Sequence, residues 1–110
     1  MSSTPTLISA DASLVTIINV FEVAEDQQSR LLELMEKATE DVMRHQPGFV
    51  SANLHRSLDG TRVANYGQWK SMEDYQRMLA NPEAQVHMKA AIGLVKSVAP
   101  ATYTVSSVHR

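Results

Sequence analysis

A chain of 110 residues, 44% hydrophobic and 20% charged, has the composition of one globular domain, which excludes a second core and the highly charged pattern of a disordered chain. Its formal net charge of -2, with no cluster of more than two adjacent basic residues, offers phosphate backbones nothing to hold, so nucleic acid is not an expected partner. The absence of cysteine excludes disulfides, a thiolate nucleophile and a thiolate metal site, and suits a reducing, cytoplasmic setting.

Met1 to Ser13 has neither a basic leader region nor a long apolar run, and no later segment approaches the roughly 20 apolar residues of a membrane helix. We therefore expect a soluble chain with a flexible N-terminus over 1–13 and a folded domain over 14–110. Leu14 to Val23, LVTIINVFEV, is rich in β-branched residues, and its odd positions are apolar around a lone Asn19, which predicts a first strand. Glu25 and Asp26 open a segment in which Leu31, Leu34, Met35, Ala38, Val42 and Met43 recur at helical spacing, and Pro47-Gly48 closes it.

Phe49 to Leu58 and Thr61 to Trp69 read as strands joined at Asp59-Gly60, a dipeptide at ease at positive φ and so a strong hairpin signal. Ser71 and Asp74 resemble a capping box opening a short helix. Asn81-Pro82 breaks that helix and starts another, which carries Ala84, Met88, Ala91, Ile92 and Val95 on one stripe. Ala101 to Val108, after Pro100, reads as the last strand. The order βαββαβ predicts an α+β, ferredoxin-like fold: two helices on one face of a four-stranded antiparallel sheet. The other face, with Leu14, Ile18, Val20, Ala64 and Tyr66, calls for a cover, and a second copy of the chain is the simplest one.

Strand alternation puts Val63, Asn65, Gly67 and Trp69 on one face. On the helix-facing side Asn65 must find a partner, and Gly67 would leave room for a flat ligand. Two readings stand: Asn65 and Trp69 meet a ligand, or Asn65 bonds a helix terminus while Trp69 packs. Asn19 poses the same choice on the first strand. Tyr75 is placed to wall a cavity, and His87, flanking the last helical stripe, to point into it or to sit beside the core. His45, His55 and His109 lie in different elements without metal-ligand spacing. No phosphate-binding glycine loop or nucleophile elbow is present, and the paired carboxylates Glu25-Asp26 and Glu73-Asp74 are explained by helix starts.

The segment QPGFVSANLHRSLDGTRVANYGQWKSMEDYQRMLANPEAQVHM, with VTIINVFEV before it, resembles the antibiotic biosynthesis monooxygenase family of dimeric α+β barrels. PGF, DGT, NYGQW and a tyrosine on the following helix occur in the family's order and spacing. The resemblance implies a homodimer and oxidation of a small aromatic or polyketide-like substrate, anthrone or hydroquinone to quinone, by molecular oxygen with no cofactor. It implies that Asn65 and Trp69 hydrogen-bond substrate or oxygen-derived groups and that Tyr75 orients substrate hydroxyls. The chain departs from that pattern at Leu54, where a second pocket tyrosine is found, and at Met88-Lys89, near an arginine position. The family also resembles haem-degrading monooxygenases, to whose asparagine and histidine ligand Asn19 and His87 lie close, while the position of their helical tryptophan falls nearest Met78.

The expected function is a cofactor-free monooxygenase with Asn65, Trp69 and Tyr75 catalytic, Asn19 and His87 binding substrate, and no metal. A non-catalytic small-molecule-binding barrel and a haem-degrading monooxygenase are the alternatives.

Overall fold

The computed structural model describes residues 4–11 and 13–110. Residues 1–3 and 12, part of the terminus expected to be flexible, lie outside the described residues. Four strands form one antiparallel sheet: β1 (Val15–Val23), β2 (Phe49–Arg56), β3 (Arg62–Trp69) and β4 (Val95–Tyr103), in the order β2-β3-β1-β4. With helices α1 (Gln28–Asp41), α2 (Met72–Leu79) and α3 (Pro82–Ile92), this is the expected ferredoxin-like α+β architecture. The β-branched run of β1 takes the centre, where both of its edges are paired.

The stripe expected on the first helix is present: Leu31, Leu32 and Ala38 of α1 are buried against the sheet. The α-ladder stops short of Pro47, however, ending at Asp41. Val42 leaves helical geometry at φ −127°, and a 3₁₀ turn over Met43–His45 follows. This bend sends the Val42 side chain into the core with Ile17, Trp69, Met78 and Ala84. Val23, Leu31, Leu32 and Val63 form a second cluster. The buried Gln28 amide donates to the carbonyls of Ser57 (3.0 Å) and Arg62 (2.9 Å), fastening the start of α1 to the base of the β2–β3 hairpin.

In that hairpin Gly60 takes φ 81°, as the Asp-Gly pair predicted. Asp59 accepts from the Thr61 hydroxyl (2.7 Å) and backbone N–H (3.0 Å) and from the Ser57 hydroxyl (2.8 Å), which together hold its carboxyl down at about 2. Gly48 lies at φ 83°, and a side chain there would collide with that of Asp74. The Ser71 hydroxyl caps α2 by accepting from the Asp74 N–H at 3.1 Å. Asn81 caps α3, accepting from the Glu83 N–H at 2.8 Å, and its amide donates to Gln46 at 3.1 Å, which ties the α2–α3 junction to the turn after α1.

The last strand corrects the expected position. It runs over Val95–Tyr103 rather than Ala101 to Val108, with Pro100 inside it opposite Asn19. β4 is an edge strand paired only with β1, the one setting in which a proline's missing N–H removes no necessary ladder bond. The helical stripe shortens accordingly: α3 ends at Ile92, which is half exposed, and Val95 belongs to β4. On the sheet's outer face the N-terminal residues make specific contacts. The Thr6 hydroxyl donates to Asn53 (2.5 Å), and the Gln68 amide donates to the Leu7 carbonyl (2.8 Å).

Candidate active site

A cavity of about 200 Å³ opens between the inner face of the sheet and the three helices. β1 contributes Ile17, Asn19 and Phe21 to its floor, and β3 contributes Asn65, Gly67 and Trp69, because inward positions recur every second residue. Leu34, Met35, Ala38 and Thr39 of α1 form the roof, while Tyr75 and Met78 of α2 and His87 and Met88 of α3 complete the wall. All five side chains singled out from the sequence, Asn19, Asn65, Trp69, Tyr75 and His87, face this one space. A mostly apolar concavity with a few convergent polar groups is the usual form of a small-molecule site.

The antiparallel register sets Asn19 directly opposite Asn65, and Ile17 opposite Gly67 on the neighbouring inward rung. Both amide oxygens, Asn19 Oδ1 and Asn65 Oδ1, are buried without a hydrogen-bond partner. Asn65 is therefore not tied to a helix terminus. A desolvated acceptor left unmade costs about 1–3 kcal/mol, a cost that a ligand donor would remove. A Cβ built on Gly67 would meet only ordinary contacts, 3.7 Å from the Ser51 carbonyl oxygen and 3.8 Å from Ile17, so the glycine relieves no clash and adds no side chain to the cavity floor.

Trp69, 4% exposed, stands edge-on to Phe49 at 5.4 Å between centroids and tilted against Tyr75 at 5.9 Å, forming an aromatic wall with fixed geometry. Burial pushes the Tyr75 phenol above its ordinary range, with the Asn19 amide opposing the rise. At neutral pH Tyr75 is thus an uncharged hydroxyl, suited to donating and orienting rather than to accepting a proton. Beyond the roof, the Asp41 carboxyl is held below its usual range mainly by its 2.7 Å bond to Lys37, with smaller contributions from His87 and His45. Among the described residues, no group of three or more His, Asp or Glu side chains could hold a metal ion.

At the two departures noted in the sequence, Leu54 packs on the second core cluster and Met88 lines the cavity. Met78 is buried in the first cluster, at the position nearest the tryptophan of the haem-degrading proteins. Sequence reasoning missed the roof residues of α1 and also Phe49. The apolar stripe of α1 was visible as a core face, but nothing in a stripe tells packed positions from positions left over a void.

Fold and site together define a ferredoxin-like α+β protein with a largely apolar cavity between sheet and helices. The profile of one family, described as antibiotic biosynthesis monooxygenase, matches residues 14–90, and the chain belongs to that family of oxidoreductases. It is 48% identical over 80 residues to the tetracenomycin-F1 monooxygenase of Streptomyces glaucescens, covering 73% of this chain and 71% of that one. Among solved structures, a monooxygenase from Streptomyces coelicolor in complex with nanaomycin D is 29% identical, with a TM-score of 0.78 over 90% of this chain and 92% of that one. SnoaB, a cofactor-independent oxygenase from Streptomyces nogalater, is 25% identical, with a TM-score of 0.70 over 88% and 97% of the two chains. No described helix is long and apolar enough to cross a membrane.

Proposed function

We propose that this monooxygenase oxidises an electron-rich, polyketide-like aromatic with molecular oxygen, the substrate itself supplying the electrons. The observation that carries the reading is the pair of unpartnered amide oxygens beside an aromatic wall in one cavity. The named activities of the relatives from Streptomyces glaucescens and Streptomyces nogalater support it. In the reaction an anthrone-type CH₂ group, or its phenol tautomer, first loses a proton. The anion passes one electron to oxygen, and the substrate radical and superoxide join in a C–O bond. After protonation, the hydroperoxide O–O bond breaks, the second C–H proton leaves with the departing oxygen as water, and a quinone carbonyl remains. One oxygen molecule thus yields one carbonyl and one water.

In this reading the chain's residues bind, orient and exclude water. Asn65 and Trp69 hold the substrate and the developing oxygen charge, neutral Tyr75 orients a substrate hydroxyl, and Asn19 and His87 complete the binding wall. Fixed dipoles in a dry pocket stabilise such charge better than mobile water does. A homodimer is part of the proposal: Ile18, Val20, Ala64, Tyr66 and Ala101 share the sheet face away from the helices, and the buried Tyr66 hydroxyl finds no partner within the described residues.

The test is oxygen uptake by metal-stripped, haem-free protein with a panel of anthrones and hydroquinones, alongside Asn65→Ala and Trp69→Phe. We expect uptake that falls at least tenfold in Asn65→Ala, with wild type and variants all sedimenting as dimers. Binding of these compounds without oxygen consumption would leave a non-catalytic binding barrel in its place, and a haem Soret band lost in His87→Ala would point to haem oxidation.

A further inference from the structure

The inward faces of β1 and β3 are apolar or aromatic at Val15, Ile17, Phe21, Val63 and Trp69, and one rung alone pairs two amides. Directly opposed side chains on antiparallel neighbours stand roughly 4.5–5.5 Å apart at Cβ. Asn19 and Asn65 therefore present two acceptor oxygens on one rung, both buried and both without a hydrogen-bond partner, with the Tyr75 hydroxyl close to the Asn19 amide. A ligand with a single hydroxyl can satisfy one of them and leaves the other desolvated, so binding should favour a ligand that meets both.

Aromatic substitution patterns differ in how they meet such a pair. Para hydroxyls point to opposite ends of a ring. Ortho hydroxyls converge and partly bond each other, and hydroxyls peri to a carbonyl donate to that carbonyl. Meta hydroxyls leave one edge of the ring as two free donors, separated by about the spacing of opposed strand side chains. The same pattern enriches the ring positions ortho and para to the oxygens, so its anion is a good electron donor. Gly67, one inward rung away, puts no side chain on the cavity floor, which lets the rest of the ring system approach the sheet.

Resting on the oxygenase reading of this cavity, we propose that Asn19 and Asn65 form a two-acceptor clamp selecting aromatics with two meta-related hydroxyls. Asn19 is the residue that sets this preference. Asn65 engages the hydroxyl common to all phenolic substrates, and Asn19 tests for the second.

The experiment is anaerobic calorimetric titration of the full chain with 1,3-dihydroxynaphthalene, 1-naphthol and 1,5-dihydroxynaphthalene, the last having the same two hydroxyls on different edges. Wild type should bind the 1,3-diol about tenfold more tightly than either other compound. Asn19→Leu, similar in shape but without an acceptor, should lose that preference, and Asn19→Asp, which keeps an acceptor oxygen, should retain it. Equal binding of the three by wild type, a preference that survives in Asn19→Leu, or no binding of any of them overturns the clamp. Oxygen uptake measured in parallel separates the two proposals. Selective binding without uptake removes the oxygenase reading and leaves the clamp, whereas uptake without selectivity removes the clamp alone.

Discussion

Gly67→Ala should raise stability while lowering activity, a divergence that follows from where the glycine sits. Its backbone is not in the left-handed region, which holds Gly48 and Gly60, so alanine is conformationally acceptable. The added methyl would lie 3.7–3.8 Å from the Ser51 carbonyl and Ile17, ordinary van der Waals separations. Reduced freedom of the unfolded chain stabilises by about 0.4–1 kcal/mol, and burial of a methyl adds up to about 0.8 kcal/mol, for a net gain near 1 kcal/mol. That corresponds to a rise of about 4 °C in Tm for a domain of this size. The same methyl occupies space beside Asn65 and Trp69, and overpacking against a ligand costs about 1–3 kcal/mol, which lowers kcat/KM by roughly 5- to 160-fold. Thermal melts followed by circular dichroism and oxygen-uptake kinetics measure the two effects. A Tm that falls several degrees would mean that the backbone needs glycine at this position. An unchanged kcat/KM in a stabilised protein would mean that the ligand does not approach the sheet there.

Gly48→Ala should instead cost about 2 kcal/mol, because a left-handed backbone penalises a Cβ by roughly 1–2 kcal/mol and the new side chain meets Asp74. A lower urea midpoint, partly recovered in the background of Asp74→Gly, which removes the whole obstructing side chain including its Cβ, is the expected pattern; no recovery would place the whole cost in the backbone. Titration of phenolate absorbance, with Tyr75→Phe as the subtraction control, should show Tyr75 ionising above free tyrosine, and higher again in Asn19→Leu, which removes the opposing amide. The sign follows from burial of the neutral form. The stability linked to Tyr75 is fully present below its ordinary value and is lost as pH rises through the elevated one.

Local chemistry explains what was legible in the sequence. Asp59-Gly60 demands positive φ, Ser71 and Asn81 carry their own cap acceptors, and alternation along β3 puts Asn65, Gly67 and Trp69 on one face before any tertiary contact is considered. The illegible features depend on partners distant in the chain. Pro100 argues against a strand when only its own segment is read, and the argument fails because β4 lies at an edge, a property of sheet order. The bend at Val42 exchanges α-helical for 3₁₀ hydrogen bonding and buries one valine beside Ile17 and Trp69, again a gain visible only after assembly. Thr6 and Leu7 likewise gain their bonds from Asn53 and Gln68, 47 and 61 residues away.

The asparagine pair belongs to the same class, since each residue can be read as an interruption of its own strand but only the β1–β3 register makes them neighbours. A core under selection for stability alone would fill that rung with apolar side chains, as the rungs on either side do apart from Gly67. Two desolvated oxygens and a missing side chain occur instead on consecutive inward rungs, and both losses fall on the cavity wall rather than in the two packed clusters. Stability lost so locally, beside a core that is otherwise consistent with its sequence pattern, is what a binding function imposes on a fold. The clusters around Leu31 and around Trp69 hold the sheet and helices firmly enough to offset that loss, so the cavity between them can stay polar at one rung and open at the next.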